Sequence, residues 1–504
     1  MNIKQNKSKF SFERLNFIEF CALCFIIFIV FVRFLYIFSY DIDFEGVEFA
    51  LVHFVQKIVI HGNLYSDVTA FPYLLVVHAP LYYYIMAALC KIFSIDVIHD
   101  VHHLYILGRA FSFILLLIDA YLLLKIIKKV APSFRYNLIV LAILLLIIPE
   151  HFFACRPDSL KITFFLGFVI NIINYQTSNK IKYAIISVVM LLLATISKQD
   201  VLLYGIIIYC IFYITERKSA YYISAINVCV ILLFLVLVYY AFSSINLFKQ
   251  LFLYNVQYDS DLRINLILIC SYYARIFPLL YFVYKNYTNN TKLNKQLAYI
   301  AILFIVLSTC SMFRIGSNIN YTYETSIFIV LNTVVILKEQ HFKLQSIQRK
   351  ILQLLAILFF ISIFIVNQAQ LYKCYFLSKN ELRLRDEYEN NMKVSEKVKK
   401  IIGNDVVFIP NMKYYIFYPA ATIIYGSDWH YDRYCELALN IRIKPKFIKN
   451  TVVDEYDKQF INGNVKYILM ENNLKSAQHI AKYYSHYKPS ISIDHMTIYS
   501  FQEK

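Results

Sequence analysis

The chain has 504 residues, of which 59% are hydrophobic and only 16% are charged, and its mean hydropathy is +0.53. Soluble domains carry about a quarter charged residues, so this composition excludes an ordinary soluble protein. The formal net charge of +17 would suit a nucleic-acid-binding protein. However, the basic residues stand in short clusters between apolar runs, as the positive-inside rule describes. The sequence therefore predicts an integral membrane protein with no nucleic-acid partner.

A spanning helix needs about 20 mostly apolar residues. The first candidate, 17–38, follows a basic segment and lacks a small-residue cleavage site, so we expect a retained helix and not a signal peptide. The other candidates, in chain order, are 105–127, 136–150, 159–176, 181–197, 201–215, 220–245, 264–284, 297–312, 324–338 and 350–368. The sequence thus predicts an all-α polytopic membrane bundle of about eleven spanning helices over residues 1–370.

Residues 39–104 form one long loop after the first helix in this prediction. Within it, 44–61 and 78–93 are interpreted as two helices that lie along the membrane surface. The alternative is a twelfth spanning helix over 73–95, but that stretch is rich in tyrosine, which favours the membrane interface. Without the twelfth helix every alternate loop is basic, which predicts a cytoplasmic N-terminus and an extracytoplasmic C-terminal domain.

The pattern of the sequence changes in 371–504, where charged residues become dense again. A charged helix is predicted over 381–402, followed by β-like runs at 406–410, 421–425 and 465–470. These runs alternate with helical stretches such as 473–484. The segment is therefore predicted to form an extracytoplasmic α/β domain.

The loop after the first helix opens with three carboxyl groups, those of Asp41, Asp43 and Glu45. Ionisable groups at the ends of spanning helices are costly unless they are paired or face a wet cavity, so they are candidates for function. Mutual repulsion raises the proton affinity of at least one of the three, which suits a general base. The alternative is a solvated acidic loop without a catalytic role.

Other ionisable groups stand in later loops on the same predicted side of the membrane. The cations Lys198 and Arg314 suit a phosphate, which an arginine can bind through two hydrogen bonds. Simpler alternatives exist: Arg156 and Asp158 would form a local pair at a helix end, Asp200 would cap a helix, and interfacial cations often snorkel. Supporting polar residues of the same loops are Asn320, Tyr321 and Glu324. Together these groups predict a single cavity.

His99, Asp100, His102 and His103 are residue types that bind metals. Their spacing matches no strong metal-binding signature, so we predict no metal site. No other motif indicates a cofactor, and none is expected.

Several short motifs follow one another in the loops predicted to be outside: Asp43-Phe44-Glu45-Gly46, then 62–67, 80–84 and Gly108-Arg109, and later 156–158, 197–200 and 316–321. Their order and shared side resemble the GT-C fold glycosyltransferases, in particular the bacterial transferases related to protein O-mannosyltransferases and the lipid A aminoarabinose transferase. The resemblance covers about 1–330 by motif and the rest by architecture only. It departs from the family where Phe44 interrupts the adjacent Asp-Glu pair, which leaves Asp41, Asp43 and Glu45 all open as the base.

The resemblance implies that a sugar is moved from a polyprenyl-phosphate donor to a hydroxyl of a lipid, glycan or protein acceptor, with inversion at the anomeric carbon. A first-loop carboxylate would activate this hydroxyl, and Lys198, Arg314, Arg109 or Arg156 would bind the donor phosphate. The implied location is a bacterial inner membrane. Two other hypotheses remain: a transporter or flippase, and a lipid-linked glycan polymerase or ligase, which would not need the carboxylate cluster.

Overall fold

The computed structural model of the protein describes residues 17–41, 48–65, 76, 78–132, 137–147, 154–215, 247, 262–289, 291–312, 322–340, 368–409, 412–420, 422–423, 458–472 and 485–502. Most of these residues are helical, and a small sheet lies near the C-terminus. The predicted spanning helix 220–245, nearly all of 350–368 and the predicted helix 473–484 lie outside the described residues.

The helices of the first half follow the predicted ones in order and approximate length. They are α1 (Phe17–Tyr36), α2 (Glu48–His61), α3 (Leu81–Ile92), α4 (Val101–Val130), α5 (Asn137–Ile147), α6 (Pro157–Ser178), α7 (Ile181–Ser197) and α8 (Val201–Thr215). Helix α6 begins at a proline, whose missing N–H costs nothing in the first turn of a helix. It ends at Asn179, which adopts the left-handed conformation at φ 53°.

The second half adds α9 (Leu262–Thr288), α10 (Lys292–Met312), α11 (Tyr323–Gln340) and α12 (Gln368–Ile402). Among the described helices, three are long and apolar enough to cross a bilayer, namely α1, α4 and α10. Helix α5 has only 11 residues, whereas a perpendicular span needs about 20. The number of about eleven spanning helices therefore stays a prediction.

The bundle has an apolar interior and an apolar exterior. Its core is formed by buried side chains of helices α4 to α11, such as Phe165, Phe304 and Leu331. Large apolar side chains also face outward, for example Phe31 on α1 and Val306 on α10. Outward-facing apolar residues on long helices suit a lipid environment, because lipid solvates them as well as a protein core does.

A close approach of two segments brings the link before α6 against α4. A Cβ atom added at Gly108 would lie 2.5 Å from the Cys155 Sγ, which is closer than real Cβ contacts. The missing Cβ at Gly108 leaves room for the Cys155 side chain, which can therefore pack against α4. The neighbours of these two residues in sequence, Arg109 and Arg156, are thereby placed in the same region of the molecule.

In the described part of the chain, the sheet near the C-terminus has five strands in the order β2-β1-β3-β5-β4. They are β1 (Val406–Phe408), β2 (Thr422–Ile423), β3 (Tyr467–Glu471), β4 (Tyr487–Ile493) and β5 (Met496–Phe501). Strand β1 pairs in parallel with β2 and β3, and the other pairs are antiparallel. The first three strands lie at the predicted β-like runs, whereas the hairpin of β4 and β5 was not predicted.

The two predicted surface helices, α2 and α3, share a second core with α12 and a 3-10 helix at Met412–Phe417. The Gln56 amide of α2 donates to the Val97 carbonyl at 2.8 Å and to the Ile416 carbonyl at 3.0 Å. The first loop is therefore packed directly against the C-terminal part of the chain.

Candidate active site

A buried ion pair lies beneath the start of the first loop. Arg109 of α4 donates from Nε to Glu48 Oε1 at 2.9 Å and from Nη2 to Glu48 Oε2 at 2.7 Å, and both side chains are 0% exposed. Glu48 also accepts hydrogen bonds from the Cys155 N–H at 2.9 Å and the Tyr36 hydroxyl at 3.0 Å. Burial alone would raise the pKa of Glu48, but Arg109 and these donors hold the pKa below its ordinary value.

The same guanidinium holds the backbone that leads into the acidic loop. Arg109 Nη1 donates to the Ser39 carbonyl at 2.6 Å, and Nη2 donates to the Asp41 carbonyl. On the other side, Glu381 of α12 accepts from the Ser39 hydroxyl at 3.1 Å and from the Tyr40 N–H at 2.9 Å. Segment 39–41 is therefore fixed by a cation of the bundle and by a carboxylate of α12.

A second, larger group of charges lies where α6, α8 and α11 begin and α7 ends; we call it the charge cluster. Its members are Arg156, Asp158, Lys161, Lys198, Asp200 and Glu324. Lys198 Nζ lies 2.7 Å from Asp158 Oδ1, and Arg156 Nε lies 3.6 Å from Asp158 Oδ2. Asp158 is thus shared by two cations that come from separate turns of the chain.

Lys161 forms the other half of the charge cluster. Its Nζ lies 2.8 Å from Glu324 Oε1, 3.1 Å from Asp200 Oδ2 and 4.0 Å from Asp158 Oδ1. The Lys161 side chain is 0% exposed, and a buried ammonium is tolerated only with such partners. Among the described residues, the charge cluster therefore contains three cations and three carboxylates.

Arg156 can donate further hydrogen bonds in addition to its contact with Asp158. Its Nε and Nη1 atoms are buried and have no hydrogen-bond partner within the part of the chain that the structure describes. The nearby hydroxyl of Tyr83 is also buried without a partner in the described ranges, and burial raises its pKa, so it remains protonated. Unfilled buried donors cost free energy unless a ligand accepts from them. This corner of the cluster is therefore suited to bind an anion.

The structure brings together five of the predicted site residues, namely Arg156, Asp158, Lys198, Asp200 and Glu324. It places Arg109 and Asp41 in the neighbouring ion-pair region, where each of the three Arg109 nitrogens already donates to a protein oxygen. The remaining predicted residues lie outside the described residues: Asp43, Glu45, Arg314, Asn320 and Tyr321.

The histidines near residue 100 have local partners. His99 Nδ1 lies 2.8 Å from Asp96 Oδ2, and His103 bonds to Asp100. The ring of His102 stacks on Tyr40 with the centroids 3.7 Å apart, and Tyr388 of α12 packs edge-on against Tyr40 at 5.6 Å. These contacts add to the connection between the first loop and α12.

Sequence reasoning missed Glu48 and Lys161. A usable signal existed for these two residues, because each is a charge within a largely apolar helix, where a charge needs a partner. Arg109 gave a similar signal in the apolar part of α4. Tyr83 lies within the motif 80–84, but sequence reasoning assigned it no role of its own.

Comparison with known proteins identifies the fold. No protein-family model matches the chain, and no curated protein sequence matches it. Among solved structures, it is similar to ArnT from Cupriavidus metallidurans bound to undecaprenyl phosphate, with a TM-score of 0.60 and 9% identity over 95% of this chain and 98% of that chain. The apo structure of that ArnT gives the same TM-score of 0.60 and 9% identity, over 96% of this chain and 98% of that chain.

The archaeal oligosaccharyltransferase AglB from Archaeoglobus fulgidus is a more distant structural neighbour, with a TM-score of 0.49 and 11% identity over 91% of this chain and 70% of that chain. At 9% identity, the structural likeness to ArnT establishes the fold and nothing finer. The chain has the GT-C fold of ArnT, so the resemblance suggested by the loop motifs is confirmed at the level of the fold.

Proposed function

We propose that this protein is a membrane glycosyltransferase that moves a sugar from a polyprenyl-phosphate donor to an acceptor hydroxyl at the extracytoplasmic face. The charge cluster is the observation that carries the proposal, because it gathers buried cations from α6 and the α7–α8 turn at one end of an apolar bundle. A lipid phosphate needs cations at that depth, where its tail can remain in the bilayer. The neighbour ArnT, which shares the fold, was solved with undecaprenyl phosphate bound.

Arg156 and Lys198 are the proposed ligands of the donor phosphate. Asp158 lies between them, at 3.6 Å from Arg156 and 2.7 Å from Lys198, and orients both. The Nε and Nη1 atoms of Arg156, which have no hydrogen-bond partner among the described residues, offer two donors to phosphate oxygens. Arg314 is proposed as a third ligand from its place in the predicted outer loop. The contacts of Arg109 instead favour a positioning role, in which it holds segment 39–41.

The proposed chemical step uses a first-loop carboxylate as the base and the Arg156–Lys198 pair as the phosphate site. A carboxylate of Asp41, Asp43 or Glu45 takes the proton of the acceptor hydroxyl, and the oxygen attacks the anomeric carbon. The bond from that carbon to the phosphate oxygen breaks, and its electron pair leaves with polyprenyl phosphate. Arg156 and Lys198 stabilise the negative charge that develops there. Because attack and departure occur on opposite faces, the anomeric configuration inverts.

A transporter or flippase is the second candidate, and one observation favours it. Asp119 lies well inside α4 and is 7% exposed, with its Oδ1 accepting from the Thr163 hydroxyl at 2.6 Å. Buried carboxyls within spanning helices mark ion and proton pathways in transporters. The other charges cluster at helix ends, which favours the enzyme. A sugar-transfer assay in liposomes separates the two functions.

The proposed function predicts net sugar transfer by the purified full chain in liposomes. The probe is undecaprenyl phosphate that carries a radiolabelled hexose or pentose, supplied with a glycolipid extract as acceptor. We expect the label to move into a new glycoside while free undecaprenyl phosphate accumulates. Passage of the intact labelled lipid between leaflets without a glycoside product would instead support the flippase, and absence of both results for every donor would contradict the proposal.

The assignment of Arg156 predicts weaker binding of the donor lipid when this side chain is shortened. We expect Arg156→Ala to bind undecaprenyl phosphate about tenfold or more weakly, because charge-assisted hydrogen bonds are lost. Native mass spectrometry of the detergent-solubilised protein measures the affinity. Arg383→Ala is the matched control, since Arg383 is exposed on α12. Equal affinities of the two variants would exclude Arg156 as a phosphate ligand.

A further inference from the structure

A separate cavity of about 240 Å³ lies between α12, the 3-10 helix at Met412–Phe417 and the antiparallel part of the sheet. Its wall is formed by Glu387, Asn390 and Asn391 of α12, by Lys413 and Tyr414, and by Glu471 and His495. We propose that this cavity, the α12 pocket, binds one uncharged sugar residue of the acceptor. The inference rests on the proposed function, because it names the acceptor class of the same enzyme.

The α12 side of the pocket offers unused hydrogen-bonding groups. Asn391 is only 6% exposed, and Asn390 and Glu387 lie on the solvent side of the same wall. Neither asparagine amide has a side-chain hydrogen bond to any residue in the described part of the chain. An amide both donates and accepts, and a carboxylate accepts twice, so together these groups complement neighbouring hydroxyls of a sugar ring.

The opposite wall supplies a flat surface. The ring of Tyr414 lies beside the His495 ring, with the centroids 6.1 Å apart. The Tyr414 hydroxyl donates to Glu471, which also has Lys413 Nζ at 3.4 Å, so this ring is held in place. Binding sites of small molecules typically combine aromatic surface with a few placed polar groups. A sugar ring presents both an apolar face and a polar edge to such a site.

The charges of the wall argue against a phosphate, a sugar phosphate or a metal cation as the ligand. Two carboxylates against the single ammonium of Lys413 repel a phosphate or a sugar phosphate. Glu471 is already engaged by Lys413 and Tyr414, which leaves Glu387 alone to attract a cation, whereas a calcium ion needs six or more oxygen ligands. The volume of 240 Å³ is below the roughly 300–1,000 Å³ of drug-sized sites, so it suits one ring.

The pocket lies close to the start of the first loop. Glu381, which binds segment 39–41, and Asn391 are ten residues apart on α12, or about 15 Å at 1.5 Å per residue. A continuous row of rings joins the two places, with centroid distances of 5.6 Å, 5.7 Å and 6.3 Å along Tyr40, Tyr388, Phe417 and Tyr414. An acceptor that fills both places is a saccharide of more than one residue.

Saturation-transfer NMR on the full-length protein in nanodiscs tests this directly. The probes are the methyl glycosides of glucose, galactose, mannose and N-acetylglucosamine, with inorganic phosphate, glucose 1-phosphate and calcium chloride as the competing ligand classes. We expect at least one glycoside to bind, and Glu387→Ala and Asn390→Ala each to weaken it about tenfold. Glu396→Ala is the matched control, because Glu396 is exposed on α12 nine residues from Glu387, two and a half turns away, and so faces the opposite side.

Three results would overturn the inference: no binding of any methyl glycoside to the wild type, tighter binding of phosphate, glucose 1-phosphate or calcium, or equal weakening by Glu396→Ala. The readout needs no sugar transfer. Glycoside binding in a protein without transferase activity would therefore refute the proposed function and leave the pocket intact, whereas transfer without glycoside binding would refute the pocket alone.

Discussion

Replacement of the catalytic base among the three first-loop carboxyls is expected to reduce sugar transfer by about 100-fold or more, since a positioned base contributes about 10² to 10⁴ in rate. The variants are Asp41→Asn, Asp43→Asn and Glu45→Gln, which keep the shape of each side chain and remove its charge. The variant that loses activity identifies the base, which the interrupted motif leaves open. Initial rates with saturating donor lipid measure the effect.

Asp96→Asn is the control for these variants, because Asp96 belongs to the same loop but has a side chain that is 53% exposed and bonds to His99. Its transfer rate should match the wild type. Binding of undecaprenyl phosphate should survive in all four proteins, since the carboxyls act on the acceptor. If all three first-loop variants transferred sugar at the wild-type rate, the mechanism with a first-loop base would be wrong.

Glu48→Gln is expected to destabilise the protein by about 3–5 kcal/mol, because it leaves the buried guanidinium of Arg109 without its counter-charge. That is a large share of the roughly 5–15 kcal/mol by which a native domain is stable. The loss should appear as a lower thermal unfolding temperature of the purified protein. Transfer should also fall, since Arg109 anchors the carbonyls of Ser39 and Asp41.

Glu389→Gln breaks a comparable pair at the surface and serves as the reference. Glu389 lies 2.9 Å from Arg385 on α12, but the two side chains are 45% and 56% exposed. Water screens this pair, so its loss should leave the unfolding temperature nearly unchanged. An equally small change for Glu48→Gln would mean that the buried pair does not hold the start of the first loop.

Local signals were sufficient to predict most of the helices. The apolar run 159–176 lies within α6, although the run did not show that the helix begins at Pro157, a residue favoured in the first turn, or that it ends at Asn179. Strands β4 and β5 were not predicted. In β4 only Tyr487 is buried, so the strand shows no alternation. In β5 the buried Met496 and Ile498 do alternate with partly exposed neighbours, but this signal was not used in the prediction. Helix length alone does not determine the number of spanning helices, because α5 has only 11 residues and is too short for a perpendicular span.

The members of the candidate site were easier to predict than their pairing. Four of them lie beside helix ends, where an ionisable residue of a membrane protein is a candidate for function: Arg156, Asp158, Lys198 and Asp200. Their partners depend on which helices are neighbours in space, which periodicity does not encode. Lys161 was therefore missed, although it contacts carboxylates of three different helix starts. Sequence reasoning likewise gave Arg109 no partner, because Glu48 lies 61 residues away in sequence.

The contact of Lys161 with Glu324 also bears on how the chain is assembled during synthesis. Translation delivers α6 to the membrane early, when Asp158 at 4.0 Å is the only acid of the cluster that has already been made. Asp200 follows with α8, and Glu324 arrives only with α11. Until that late helix docks, the ammonium group is left partly uncompensated in an apolar setting. We therefore expect this protein to mature cooperatively, with the insertion machinery keeping α6 out of contact with lipid until α11 packs against it.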